Sequence, residues 1–184
     1  MINEKTVLGL IPARGGSKRV LRKNLKPFRG KPLLLWSIEQ AKCSKYIDLL
    51  AVSSEDKEIQ ELVRSTNTHV IERPSYLATD EATCEDVLRH ALTIFACDWV
   101  VLLQPTSPLR TSEDIDGCLE RAQFGDACIS VDLVTRKTNG AVYCCRGEWL
   151  DRYDFVNGGT MKYIMDDDRS LDINEESEFL WTAS

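Results

Sequence analysis

Apolar residues in this chain fall into two alternating patterns. Short, largely apolar runs stand at Thr6–Ile11, Ile47–Val52, Thr68–Ile71, Asp98–Leu103 and Ala127–Val131. Runs of this length, cut off by proline or polar turn residues, read as buried strands. Between them the apolar positions recur at helical spacing. Leu34, Leu35, Ile38 and Ala41 follow Pro32, which is placed to start a helix. Ile59, Leu62 and Val63 mark a helix reaching about Arg64, with Ser53-Ser54 placed to cap it and Glu55 and Asp56 in its first turn. Val87, Leu88, Ala91, Leu92 and Phe95 mark a helix from Cys84 to Phe95, and Thr111 or Ser112 caps another reaching Phe124. Such alternation predicts a mainly parallel sheet covered on both faces, a three-layer α/β/α architecture in one domain spanning residues 1–184.

Right-handed crossovers bring the C-terminal ends of parallel strands to one edge, where ligands sit. The segments 12–31, 53–55, 72–83 and 104–111 therefore face one crevice. Beyond residue 131 the pattern loosens. Gly140–Cys145 and Met161–Met165 read as strands, Asp166–Asp168 as a turn, and Leu171–Ile173 as a strand piece leading into a helix over Glu175 to Trp181.

Charge then singles out one segment. No acidic residue stands between Glu4 and Glu39, yet Arg14, Lys18, Arg19, Arg22, Lys23, Lys26, Arg29 and Lys31 do, in a protein of net charge -6. A basic island in an acidic chain points to a local anion, and the overall balance, with few clustered aromatics, argues against nucleic acid. The segment follows the first strand and contains Gly15-Gly16, a pair that permits a tight turn with converging backbone N–H groups. Arg14 and Lys18 flank it as a two-pronged donor and a compact charge, the pair that clamps phosphate oxygens. A solvated glycine turn is the plainer alternative. It is neither a Walker loop nor a dinucleotide fingerprint, because the glycine spacings do not match.

Two further segments bear on chemistry. Gln104-Pro-Thr-Ser-Pro-Leu-Arg110 follows the strand ending at Leu103; its prolines stiffen a loop where Gln104, Thr106, Ser107 and Arg110 offer polar groups. Asp172 and Asn174, two apart on an expected strand, share one face and suit Mg2+, which takes few protein ligands beside phosphate and water. A strand end with Asn174 capping the final helix is the competing reading. The seven cysteines include no Cys-x-x-Cys and lie mostly in apolar surroundings, as reduced buried thiols do. No run approaches a membrane span and the N-terminus lacks a signal-peptide layout, so a cytoplasmic protein is expected.

Ile11-Pro-Ala-Arg-Gly-Gly-Ser-Lys-Arg19, Arg22-Lys23-Asn24, Gly30-Lys31-Pro32-Leu33 and Gln104-Pro-Thr-Ser-Pro108 together resemble the cytidylyltransferases that activate sialic-acid-like sugars, including their legionaminate and pseudaminate relatives. The resemblance is close over about residues 5–131 and loose over 139–181. It implies a Rossmann-like fold of the nucleotide-diphospho-sugar transferase type and transfer of CMP from CTP to an acidic nine-carbon 2-keto sugar. By the same resemblance, Ala13, Arg14, Gly15, Gly16, Ser17, Lys18, Asn24, Arg73 and Thr83 meet the nucleotide, with Arg14, Lys18 and Lys23 offsetting phosphate charge. Thr83 also fits a helix cap, and Asn24 a simple turn. Gln104, with Thr106 and Ser107, faces the sugar, and Asp172 and Asn174 hold Mg2+. The family has an aspartate pair where this chain has Asp172 and Asn174, so weaker metal binding is expected.

The family also implies a homodimer formed through a region that about residues 135–168 represent in reduced form, with Trp149, Tyr153 and Phe155 as contacts or core. The stretch Val131–Asn139 is shorter than its counterpart by a few dozen residues; Arg136 and Lys137 stand where the family carries an arginine-rich segment. These two departures motivate one alternative, a nucleotide-binding homologue without turnover; a nucleotidyltransferase acting on another sugar is a further alternative with the same fold.

Overall fold

The computed structural model describes residues 2–180. Its centre is a seven-stranded sheet. In chain order its strands are β1 (Val7–Pro12), β4 (Leu49–Ser54), β5 (His69–Glu72), β6 (Trp99–Leu103), β7 (Ala127–Asp132), β8 (Thr138–Arg146) and β9 (Met161–Met165). A small hairpin of β2 (Pro27–Phe28) and β3 (Lys31–Pro32) precedes the first helix. The helices are α1 (Leu33–Cys43), α2 (Lys57–Ser65), α3 (Cys84–Ile94) and α4 (Ser112–Ala122). Spatial order across the sheet is β5-β4-β1-β6-β8-β7-β9.

Alternation along each strand divides the apolar side chains between two cores. Val7 and Ile11 of β1, and Trp99, Val101 and Leu103 of β6, face one side, against Leu34 and Ile38 of α1, Ile59 and Val63 of α2, and Ile115 and Leu119 of α4. Leu8, Leu10, Val100 and Leu102 face the other, against Val87, Leu88 and Ala91 of α3 and Trp149, Leu150 and Phe155. The expected three layers are present. Trp149 and Phe155 are buried and belong to this second core, while Tyr153 is exposed.

The expected mainly parallel sheet is present, with one strand reversed: β8 lies between β6 and β7 and runs antiparallel to both. The short connection explains this: Asp132 accepts a hydrogen bond from the Arg136 N–H, and its own N–H donates to Lys137, closing a tight reversal. A parallel neighbour would need a long crossover. Leu171–Ile173 forms no strand, and the helix expected over 175–181 is a 3-10 turn, Glu176–Leu180, with Trp181 outside the described residues. At α2 the cap is Asp56 itself, whose carboxylate accepts from the Ile59 N–H. Glu55 thus stands outside the helix and points elsewhere.

Candidate functional site

Because β1, β4, β5 and β6 are parallel, their C-terminal ends deliver the loops after Pro12, Ser54, Glu72 and Leu103 to one edge. A cavity of about 450 Å³ opens there. It is lined by Arg14, Ser17, Lys18, Arg19, Lys23 and Asn24 from the basic loop, Asp80 from the loop after β5, Gln104 and Thr106 from the loop after β6, and Asp172 and Asn174. Residues from four separate stretches of chain therefore meet; of the segments expected at the crevice, 53–55 contributes none of this lining.

The placement of Asp172 and Asn174 comes from the residue between them. The Ile173 side chain is fully buried in a satellite core with Phe28 and Leu33, flanked by Trp36, Leu109 and Phe179. Its N–H donates to the Thr106 carbonyl at 2.8 Å, and its carbonyl accepts from Lys23 Nζ at 2.8 Å. One backbone unit is thus tied to both the basic loop and the Gln104 loop, leaving its two neighbours at the cavity. Burial holds the Lys23 ammonium below the usual lysine range, against the opposing pull of Asp172.

The basic loop differs from a simple amide cradle. The Ala13 N–H donates to Ser53 O, extending the β1–β4 ladder, and Ala13 is fully buried. The Gly15 N–H donates to Glu55 Oε1 at 2.7 Å. Among the described glycines only Gly30, Gly140 and Gly159 have positive φ, so the Gly15-Gly16 pair is not there for a left-handed turn. Gly15 is required by packing: a Cβ on it would lie 2.4 Å from the Asp56 carboxylate. Gly16 has nothing within 4 Å of that position. These two glycines line an adjoining cavity of about 310 Å³.

Other predicted residues divide between cavity and framework. Asn24 lines the main cavity, and its side-chain amide pins the loop by donating to the Arg14 carbonyl at 2.9 Å. Arg73 and Thr83 line a third cavity of about 250 Å³, which Pro12, Arg14, Asp80 and Gln104 share with the first. Arg73 is buried, donates to the Ser53 hydroxyl and carbonyl, and is held below the usual arginine range by that burial. Thr83 caps α3: its hydroxyl accepts from the Asp86 N–H and donates to the Asp86 carboxylate. Helix capping thus engages both functions of that hydroxyl.

Ser107 is a correction. Its side chain is buried, its hydroxyl has no partner, and it lies beneath the loop outside the cavity lining. Arg110 also turns inward, 1% exposed, donating to the carbonyls of Gln104 and Ala141 and to the Ser37 hydroxyl. Its role is to hold the loop that presents Gln104. Two carboxylates that engage the basic loop carried no site role in the sequence reading: Glu55, which holds Gly15, and Asp80, which pairs with both Arg14 and Lys18. Their distance in sequence from the basic loop hides both; only the absence of acids inside that loop signalled that its counter-charges come from elsewhere.

The donor set bears on Mg2+. Among the described residues no cluster of three or more His, Cys, Asp or Glu forms a metal site. Asp172 offers a carboxylate at the cavity, and the Asn174 amide N–H donates to Asp172 Oδ2 at 2.7 Å. One carboxylate with one amide fits an ion that completes its shell from phosphate oxygens and water, with the amide turned to present its oxygen. Arg136 and Lys137 are exposed and do not line this cavity.

The three-layer α/β fold thus gathers a cationic loop, a polar Gln104 loop and the Asp172–Asn174 carboxylate–amide pair at one sheet edge. Residues 8–139 match the cytidylyltransferase family model, and the chain belongs to that family. It is 28% identical over 210 residues to the N-acylneuraminate cytidylyltransferase of Escherichia coli O18:K1:H7, covering 94% of this chain and 50% of that protein. It is 37% identical over 120 residues to the pseudaminic acid cytidylyltransferase of Campylobacter jejuni, covering 62% of this chain and 52% of the other. The chain spans about half the length of these relatives. A solved CMP:2-keto-3-deoxy-manno-octonic acid synthetase complexed with CTP shares the fold, with a TM-score of 0.77 at 15% identity over 94% of both chains.

Proposed function

We propose that this chain transfers CMP from CTP to the anomeric hydroxyl of a sialic-acid-like nine-carbon 2-keto sugar acid, releasing pyrophosphate. The observation that carries the reading is one cavity in which Arg14, Lys18 and Lys23 face Gln104 and Asp172. The cations balance charge on the triphosphate, which favours departure of pyrophosphate as the sugar oxygen bonds to the α-phosphorus. Gln104, able to donate and accept, orients the sugar acid. The Ile173 backbone ties the two sides together, so attacking and leaving groups are held in line by positioning. Asp172 and Asn174 would hold Mg2+, which when bound would supply charge neutralisation and lower the pKa of a nearby hydroxyl. A homodimer is proposed from the family resemblance alone; sedimentation of the purified chain as a monomer would reject it.

One observation favours a second reading, a homologue that binds nucleotide without turnover: Asn174 stands where the family has a carboxylate, and its N–H faces Asp172. A pyrophosphate-release assay with CTP, Mg2+ and a panel of sugar acids decides between them. Release dependent on N-acetylneuraminate, pseudaminate or legionaminate supports the enzyme. Release with 3-deoxy-manno-octulosonate alone moves the substrate to the eight-carbon acids. CTP binding without release under any of these sugars supports the binding protein. For the enzyme, Lys18→Ala should lose most turnover with an unchanged fold, because the Lys18 side chain is 81% exposed.

A further inference from the structure

Arg14 and Asp80 are the two residues that line all three cavities of the crevice. The Asp80 carboxylate reaches Arg14 Nη1 at 2.8 Å through one oxygen and pairs with Lys18 Nζ through the other. Arg14 Nη1 also donates to the Thr79 carbonyl at 3.3 Å, so two consecutive residues of that loop sit on the cation pair. Arg14 and Asp80 therefore lie on the boundary that the main cavity shares with the cavity lined by Gly15 and Gly16 and with the one lined by Arg73 and Thr83. A carboxylate bridging an arginine and a lysine occupies the position that phosphate oxygens would take on the same donors.

We propose that Asp80 is an internal counter-anion that competes with the nucleotide's phosphates for Arg14 and Lys18, so that its displacement joins the three cavities and sets polyphosphate affinity. The inference rests on reading the crevice as a CTP site. It adds a residue that tunes affinity in place of one that contacts substrate. The competing role is positioning, in which Asp80 aligns the two cations for the ligand. The two roles predict opposite signs: loss of a competitor tightens binding, whereas loss of an aligning group weakens it. Asp80 is on the exposed part of its loop, between the turn Ser75–Leu77 and the capped start of α3, so its substitution leaves both cores untouched.

Calorimetric titration of the full chain tests this with two probes, CTP and inorganic tripolyphosphate, on wild type, Asp80→Asn and Asp80→Glu. Exposed ion pairs are individually modest, so the expected gain for Asp80→Asn is roughly five-fold in affinity for tripolyphosphate, with Asp80→Glu close to wild type. The same gain for CTP is expected if the crevice is a CTP site. Tighter tripolyphosphate binding without CTP binding would uphold the competitor and reject the CTP reading. Unchanged or weaker tripolyphosphate binding in Asp80→Asn, with an unaltered circular dichroism spectrum, overturns the proposal whatever CTP does.

Discussion

Arg110 lies at the junction of core and site, and replacing it with methionine gives a result whose size follows from opposing contributions. Its guanidinium makes three hydrogen bonds: Nη1 to the carbonyls of Gln104 at 3.2 Å and Ala141 at 2.7 Å, and Nη2 to Ser37 Oγ at 2.7 Å. Hydrogen bonds from a charged donor contribute roughly 1.5–3 kcal/mol each. The Gln104 carbonyl keeps the Ser107 N–H at 3.3 Å and the Ser37 hydroxyl at 3.4 Å, so its loss is partly made good. Against this, burial pushes the guanidinium down to about 10 from 12.5. That shift corresponds to roughly 3 kcal/mol opposing the charged form. No carboxylate bonds Arg110, so methionine leaves no orphaned buried charge behind, which keeps the loss below that of breaking a buried ion pair. The expected net destabilisation is about 2–3 kcal/mol, or a fall in Tm of roughly 4–12 °C. Urea unfolding and a thermal melt of the full chain measure it. Arg110→Lys, which cannot span three acceptors from one planar fork, should also lose stability. A methionine variant as stable as wild type would refute the claim that these contacts outweigh desolvation.

The remaining predictions concern the loop itself. Gly15→Ala places a methyl against Asp56, the cap of α2 and partner of Arg22, and should cost about 1–3 kcal/mol by urea melt. Gly16→Ala meets open space and should fall within about 0.5 kcal/mol of wild type; equal effects at the two positions would refute the packing argument. Burial lowers the Lys23 pKa below its ordinary 10.5. Just below 10.5 the unfolded chain therefore holds the proton more tightly than the folded one, so this group's contribution to stability rises with pH there. The stability of wild type relative to Lys23→Met should increase as pH rises towards 10.5, and a flat or falling difference would show that the Asp172 attraction outweighs burial.

What the chain discloses about itself follows the range of the forces involved. Strands such as Trp99–Leu103 and helices such as Cys84–Ile94 were legible because their signals are local: apolar period, proline stops and a Thr83–Asp86 cap three residues apart. The position of β8 was not, because strand order depends on what fills the space between β6 and β7, and a five-residue connection is silent about which neighbour it serves. Leu171–Ile173 reads as a strand piece in the sequence. Its course is fixed instead by burial of Ile173 and by hydrogen bonds to Thr106 and Lys23, distant in sequence, and these bring Asp172 and Asn174 together without any ladder. The basic island shows the same limit. Counting charges located the cations and the absence of nearby acids, but not which acids would neutralise them. The fold supplies Glu55 to an amide, Asp56 to Arg22, and Asp80 to Arg14 and Lys18. Of these, Asp56 and Glu55 are tied to packing and backbone, while Asp80 contacts only the side chains and loop that an incoming anion would engage. The carboxylate most readily displaced is therefore the one on the cations that the proposed chemistry requires, which is the arrangement that the competitor proposal needs.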